Sequence, residues 1–369
     1  MPRQPAKAAP ATSSAAQAEP DRQPARKRLP FPTSESVQAT KAAKPSPSRP
    51  VSRKKPAAKT VSRTAAPTAK APVLSLVYPF ESKDKALHKL WQPWQPGQPR
   101  DSRLTTGHPR PAVELQKFDP SAKPFSSDKG KQYDKDSVNQ LAEALDGLQN
   151  IFYADRRFKL LVILQGMDAA GKDGTLRAVF GRMSPLGVRT VGWKAPTETE
   201  KAHDYLWRIH QQLPGAGEIV LFNRSQYEDV LVPVVNGWLT PEQQTQRYAQ
   251  INDFERMLSE TGTVIVKFML HISKDEQRER LQQRLDDPCK HWKFDENDLK
   301  VRAQWDDYQQ AYGQLLGATH TPWAPWTIVP ADSKTHRNLM VATVLREVLG
   351  NLELKYPPGA PALDHIKVR

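Results

Sequence analysis

Ten consecutive residues, Gly166-Met-Asp-Ala-Ala-Gly171-Lys172-Asp173-Gly174-Thr175, have the composition of a phosphate grip. Glycines at these spacings let the backbone wrap an anion. A helical stretch that follows, LRAVFGRM, would aim unpaired N–H groups and the positive end of its dipole at the same point, and Lys172 adds a full cation. Gly166, Ala170, Gly171, Gly174 and Thr175 are the candidate phosphate and nucleotide contacts. Two carboxylates complicate the loop. Asp173 stands where a hydroxyl residue usually follows the lysine, and Asp168 lies inside the turn. At about 4 Å each would repel a phosphate charge by roughly 1 kcal/mol in water and about 4 kcal/mol at an effective dielectric of 20. Such acids make sense if a hard divalent cation sits between them and the phosphates, so Asp168 and Asp173 are candidate ligands for Mg²⁺, with Mn²⁺ as an alternative. For Asp173 a second reading stays open, a first-turn acid facing solvent and stabilising the helix dipole.

Two further segments carry chemistry. Asn223-Arg224-Ser225-Gln226-Tyr227-Glu228-Asp229 follows an apolar run. Asn223 can orient a metal-bound water, Arg224 can neutralise a transferring phosphoryl group, and Glu228 or Asp229 can reach a ribose or base edge. The two acids can equally cap the next helix. Between Ser273 and Lys293 lie Arg278, Arg280, Arg284, Lys290 and Lys293; on a helix Arg280 and Arg284 share a face. Collected cations suit a lid, expected over about 274–300, that closes on several phosphates and excludes water. Glu276, Glu279 and Asp286 also permit a solvated helix of mixed charge. Trp292 can stack on a base or simply pack.

These segments need elements to hold them. Five short apolar runs, 159–165 (KLLVILQ), 188–193, 218–223 (EIVLFN), 264–272 and 326–329, alternate with helical patterns. The first helix is expected from Asp136 through Leu141, Leu145, Leu148 and Phe152. Thr197 with Glu200, Thr240 with Pro241 and Gln243, and Ser273 with Glu276 read as capping boxes, and Gly262 and Gly350 as helix stops. Alternating β and α predicts an α/β fold with a doubly wound, parallel, five-stranded sheet, whose ligand site lies beyond the carboxyl ends of the strands. Each motif above follows such a strand or its helix.

Of the formal charge of +14, +12 belongs to residues 1–72, where fifteen lysines and arginines face three acids among 13 of the 33 prolines. That stretch cannot bury a core and reads as a disordered basic tail, either a flexible extension or a weak, salt-dependent binder of polyphosphate or nucleic acid. Residues 73–130 read as an irregular strap, 131–357 as the folded domain, and 358–369 as a C-terminal tail. Cys289 is the only cysteine, which excludes an intrachain disulfide or a multi-cysteine metal site. With no apolar run of membrane-spanning length, the expected location is cytoplasmic, with an organelle transit peptide kept open by the Arg-rich, acid-poor start.

From about residue 115 to 357 the sequence resembles the family-2 polyphosphate kinases. The resemblance is carried by GMDAAGKDGT (166–175), KAP (194–196), HDYLWR (203–208), FNRSQYEDVLV (222–232), DDPCKHWKF (286–294), WDDY (305–308) and TPWAPW (321–326). It implies a P-loop fold like that of thymidylate kinases with a helical lid, Mg²⁺, and transfer of a phosphoryl group between inorganic polyphosphate and nucleotides. It also implies phosphate and metal roles for Asp168, Lys172 and Asp173, a role beside them for Asn223 and Arg224, and polyphosphate contacts for the lid cations. NRS-x-YEDVLV with KHWKF is most similar to the subclass that takes both AMP and ADP; Gln226 departs from the aromatic common at its position. Assembly as a homo-oligomer is expected. The competing readings are an ATP-dependent nucleoside monophosphate kinase, and a polyanion-binding protein acting through the tail.

Overall fold

The computed structural model describes residues 111–126, 129–359, 363 and 366–368. The tail expected at 1–72 and the strap up to residue 110 lie outside the described residues.

Five apolar runs become five strands: β1 (Lys159–Gln165), β2 (Val188–Gly192), β3 (Ile219–Asn223), β4 (Thr263–His271) and β5 (Trp326–Pro330). Every pairing is parallel and the spatial order is β2-β3-β1-β4-β5. Parallel strands are covered on both faces, so they read as continuous apolar runs rather than alternating ones. From Leu160 to Gln165 every residue of β1 is buried, as is all of β4, whereas edge strand β2 is only half-buried. Truncating a buried β1 leucine such as Leu161 to alanine would cost about 2–5 kcal/mol. The expected strands match these to within one or two residues.

The helices, in chain order, are α1 (Gly130–Asp155), α2 (Lys172–Phe180), α3 (Glu198–Lys201), α4 (Trp207–His210), α5 (Glu228–Val235), α6 (Pro241–Glu260), α7 (Lys274–Asp286), α8 (Glu296–Ala303), α9 (Trp305–Thr319) and α10 (Lys334–Gly350). α1, α2 and α10 pack together as one layer; α5, α6 and α9 pack together as another. α1 begins six residues before the expected Asp136. Its first turns are held by a polar contact that no apolar period reveals, the buried Asp134 carboxylate accepting from Ser126 and Thr335 hydroxyls at 2.9 and 3.1 Å.

Thr197 and Thr240 form complete capping boxes. Ser273 forms half of one: its hydroxyl accepts from the Glu276 N–H at 3.1 Å, but Glu276 Oε1 accepts from Arg280 Nε at 2.7 Å instead of returning to the cap. Gly262 ends the turn after α6 at φ +90°, whereas Gly350 is still helical and Asn351 caps the helix.

Residues 111–126 hold only a short 3-10 turn, Leu115–Lys117, and are otherwise irregular. Val113 N–H donates to Gly313 O at 2.9 Å, and a methyl group at Gly313 or Gly317 would collide with the Val113 or Pro111 carbonyl. These two glycines, four apart on α9, let the strap approach the helix. It then crosses the sheet edge, where His271 Nε2 donates to Phe118 O at 3.0 Å and Asp332 N–H to Pro120 O at 3.1 Å.

Candidate active site

The β1–α2 turn wraps back on itself. Ala169 and Gly171 have left-handed backbones, φ +63° and +105°, and Lys172 Nζ donates to Gly166 O at 2.6 Å and Met167 O at 3.3 Å. Gly171 admits no side chain: besides its φ, a Cβ there would strike the guanidinium of Arg337. On the adjacent strand, β3 delivers two partners to the loop's acids. Asn223 Nδ2 donates to Asp173 Oδ1 at 2.7 Å, and Arg224 Nη2 to Asp168 Oδ1 at 2.6 Å. Arg224 itself holds φ +66°, a backbone that side chains other than glycine adopt at a cost, and its N–H is tied to Leu164 O at 3.0 Å.

Two clefts meet at the Asp168–Arg224 pair. The first, about 560 Å³, is bounded by the loop residues Asp168, Gly171, Lys172, Asp173 and Gly174, by Trp193 and Lys194 beyond β2, by Arg284, Lys290 and Lys293 of the 274–303 segment, and by Lys334. The second, about 640 Å³, is lined by Gly166 and Glu228, by Gln304, Tyr308 and Tyr312 of the α8–α9 stretch, and by Asn236 and Trp238. One cleft is strongly cationic; the other is aromatic and amide-lined.

Several residues sit elsewhere than the sequence suggested. Arg280, expected as a lid cation, does border the first cleft, but it is buried with all five N–H donors engaged: Nε on Glu276, Nη1 on Ala169 and Ala170 carbonyls, Nη2 on those of Ala331 and Asp332, at 2.7 to 3.1 Å. It braces the loop from beneath and has no donor left for a phosphate. Arg278 is exposed beside Asp275 and lies outside both cleft linings. Ala170 directs its N–H to Met167 O and its carbonyl to Arg280 and Arg337, and Thr175 turns its hydroxyl toward Asn338 at 3.3 Å, so neither faces a cleft. Asp229 is held by Arg208 at 2.9 Å and its carbonyl accepts from Arg247, which fixes α5 rather than reaching a ligand. Arg284 does line the cationic cleft, paired with Asp298 at 2.8 Å; Lys290 pairs with Asp287 at 2.9 Å and Lys293 lies over the Trp292 ring.

Arg337 is a site residue that the sequence reading missed. Its Nη1 donates to Ala170 O at 3.0 Å, sharing that carbonyl with Arg280, and among the described residues it pairs with no carboxylate. Burial, with Arg280 adjacent, pushes its guanidinium down to about 9. α10 also carries Lys334 and Arg346, so cationic character alone did not single Arg337 out.

Charge at the site is polarised. Burial opposes ionisation of Asp168, but Lys172 and Arg224 outweigh it and hold the carboxyl below its ordinary value. Burial instead wins at Glu228, whose carboxyl is raised despite Arg224 and Lys172. The same burial lowers Lys172. Asp168 and Asp173 each use Oδ1 in the bonds above and keep Oδ2 outside them. Among the described residues no three His, Cys, Asp or Glu side chains gather. Mg²⁺ binds through one or two carboxylates plus phosphate and water oxygens rather than an all-protein cage, so this donor set fits it.

Residues 128–357 match the family described as Polyphosphate kinase 2 (PPK2). An AMP/ADP-polyphosphate phosphotransferase of Meiothermus ruber is 49% identical over 256 residues, 69% of this chain and 95% of the relative. An ADP-polyphosphate phosphotransferase of Rhodopseudomonas palustris is 40% identical over 262 residues, 68% of this chain and 90% of the relative. The crystal structure of polyphosphate kinase 2 from Arthrobacter aurescens TC1 superposes with a TM-score of 0.66 at 45% identity, over 68% of this chain and 89% of that one. A glycine loop braced by two arginines, set between a cationic and an aromatic cleft on a parallel sheet, thus coincides with matches spanning the whole folded region, and the chain belongs to the polyphosphate kinase 2 family.

Proposed function

We propose that this chain transfers a phosphoryl group between inorganic polyphosphate and an adenine nucleotide, forming ADP from AMP and ATP from ADP. The observation that carries the reading is the meeting of the two clefts at Asp168 and Arg224. A row of cations suits a polyanion, and a pocket with Tyr308, Tyr312, Glu228 and side-chain amides suits a base and ribose. Both relatives are named for transfer with polyphosphate, one with AMP and ADP, the other with ADP.

In the reaction a nucleotide phosphate oxygen attacks the terminal phosphorus of polyphosphate. One P–O bond forms as the bridging P–O bond breaks in line, and the polyphosphate leaves one unit shorter. Such transfer has little covalent work for the protein and depends on positioning and charge neutralisation. Lys172 and Arg224 lie where charge accumulates on the transferring group; the Asp168 carboxylate fixes the Arg224 guanidinium at 2.6 Å. Arg284, Lys290, Lys293 and Lys194 hold the donor chain, and Glu228 contacts the nucleotide. Mg²⁺ held by Asp168 and Asp173 would neutralise phosphate oxygens of both substrates.

Donor exchange tests this. The purified chain with Mg²⁺ is expected to convert AMP to ADP and ADP to ATP with polyphosphate as the only donor. Phosphorylation of AMP by ATP, with none from polyphosphate, would make it a nucleoside monophosphate kinase instead.

A further inference from the structure

A third cavity, about 570 Å³, opens where the strap, α1 and the start of α10 converge, and the proposed reaction does not use it. Lys123 of the strap, Lys131 and Lys135 of α1, and Lys334 of α10 line it together with Glu276 and Asp332. Both acids are engaged: Glu276 with Arg280 at 2.7 Å, and Asp332 Oδ1 as acceptor for the Ser273 N–H at 2.8 Å. Among the described residues none of the four lysines has an ion-pair partner. Lys131 and Lys135 lie four apart on one face of α1, a like-charge pairing that weakens an isolated helix and is relieved by a bound anion. The buried Arg280 and Arg337 stand beside Lys334 and add to the positive field, and burial with Arg280 pushes the Lys334 ammonium down.

Lys334 also borders the cationic cleft, so the two cavities share a wall. Lys334 is the one residue that the two linings share. A chain of phosphates seated with its reacting end near Lys172 would leave the first cleft past this residue.

We propose that Lys334, Lys135, Lys131 and Lys123 form an outer track for polyphosphate, which holds units beyond the reacting end and favours long donors over short ones. The proposal rests on the phosphotransferase reading. The track has no aromatic side chain in its lining on which bases could stack, which favours a bare polyanion over a single-stranded nucleic acid. Once the reacting end is bound, contacts along the same chain are intramolecular and gain from a high effective concentration.

The test replaces three residues outside the reaction site, Lys123→Gln, Lys131→Gln and Lys135→Gln together, in the full chain. KM is measured for long-chain polyphosphate and for the shortest linear polyphosphate that the wild-type chain accepts, with AMP saturating. All three side chains are exposed, so an unchanged melting temperature is expected. Exposed ion pairs being individually weak, KM for the long donor should rise roughly three- to thirtyfold, with a shallower salt dependence. The short-donor KM, the AMP KM and kcat should stay within twofold or so of wild type. Equal effects on both donors, or none, would overturn the track. So would loss of oligonucleotide binding with donor KM unchanged, since the surface would then serve nucleic acid. If the wild-type chain uses neither donor, the phosphotransferase reading itself fails, an outcome separable from a track that is merely absent.

Discussion

Asp168 and Glu228 both interact with Arg224, and the fold treats them oppositely. Asp168 is held ionised by Lys172 and Arg224, whereas Glu228 is pushed toward its neutral form by burial. For Glu228 the folded pKa exceeds the unfolded value of about 4.5, so its stabilising contribution is complete below that pH and is lost as pH rises through the folded value. Above pH 4.5 its contribution to stability therefore falls as pH rises. Glu228→Gln should melt at a higher temperature than wild type at neutral pH, and the gap should close as pH falls toward 4.5; equal melting at every pH would contradict this. Gly171 makes a sharper prediction. A methyl group there meets both a left-handed φ of +105° and the Arg337 guanidinium. Gly171→Ala should lose roughly a hundredfold or more in kcat, the size of effect seen when preorganised charge at a transition state is misplaced, and about 1–3 kcal/mol in stability. Steady-state kinetics beside a denaturant melt would check both.

At the scale of elements, the segment carrying Arg224 is anchored through the sheet. Lys267, buried in the middle of β4, donates to Glu255 Oε2 of α6 at 2.7 Å, to Tyr227 Oη at 2.8 Å and to Thr319 O at 2.9 Å, and its Nζ lies over the Tyr227 and Trp326 rings. Glu255 also accepts from Tyr227 Oη at 2.6 Å and from Gln226 at 3.0 Å. Gln226, the residue that departs from the aromatic common in its family, is thus a hydrogen-bonding link between α6 and the Arg224 segment. Removing one member leaves the other charge buried and alone. Lys267→Met should cost about 3–5 kcal/mol, and adding Glu255→Leu should recover most of it. Equal losses in the single and double variants, measured by urea unfolding, would contradict this account.

The same scale separates what was legible in the sequence from what was not. The strands were readable because burial on both faces imposes unbroken apolar runs, as in KLLVILQ. The grouping of Asp168, Lys172, Asp173, Asn223 and Arg224 was readable because the first three lie in the turn and helix start that follow β1 and the last two stand at the end of β3. Arg280 was not. Four residues along a helix advance about 6 Å and roughly 40° past a full turn, enough that Arg280 meets the loop carbonyls while Arg284 reaches Asp298. Which neighbour an arginine meets is decided by packing between elements distant in sequence. Arg337 was missed for the same reason, since its partner Ala170 lies 167 residues away. Likewise the early start of α1 depends on Thr335, 201 residues from Asp134.

For the whole molecule, most of the formal charge of +14 belongs to residues 1–72, so the remainder is almost neutral. Cationic surface on the folded region is therefore local. Cations line the first cleft and the cavity that shares Lys334 with it, against a second cleft of aromatic and amide character. Among the described residues no helix is long and apolar enough to cross a membrane. The central claim, transfer from polyphosphate to adenine nucleotides at the Asp168–Lys172–Arg224 site, is tested most directly by following ADP formed from AMP and ATP formed from ADP, with polyphosphate and Mg²⁺, in the wild-type chain and in Lys172→Ala and Asp168→Asn. Both products from wild type, with each variant slowed about a hundredfold or more while remaining folded, is the result predicted; full activity in either variant, or no transfer from polyphosphate by the wild type, would contradict it.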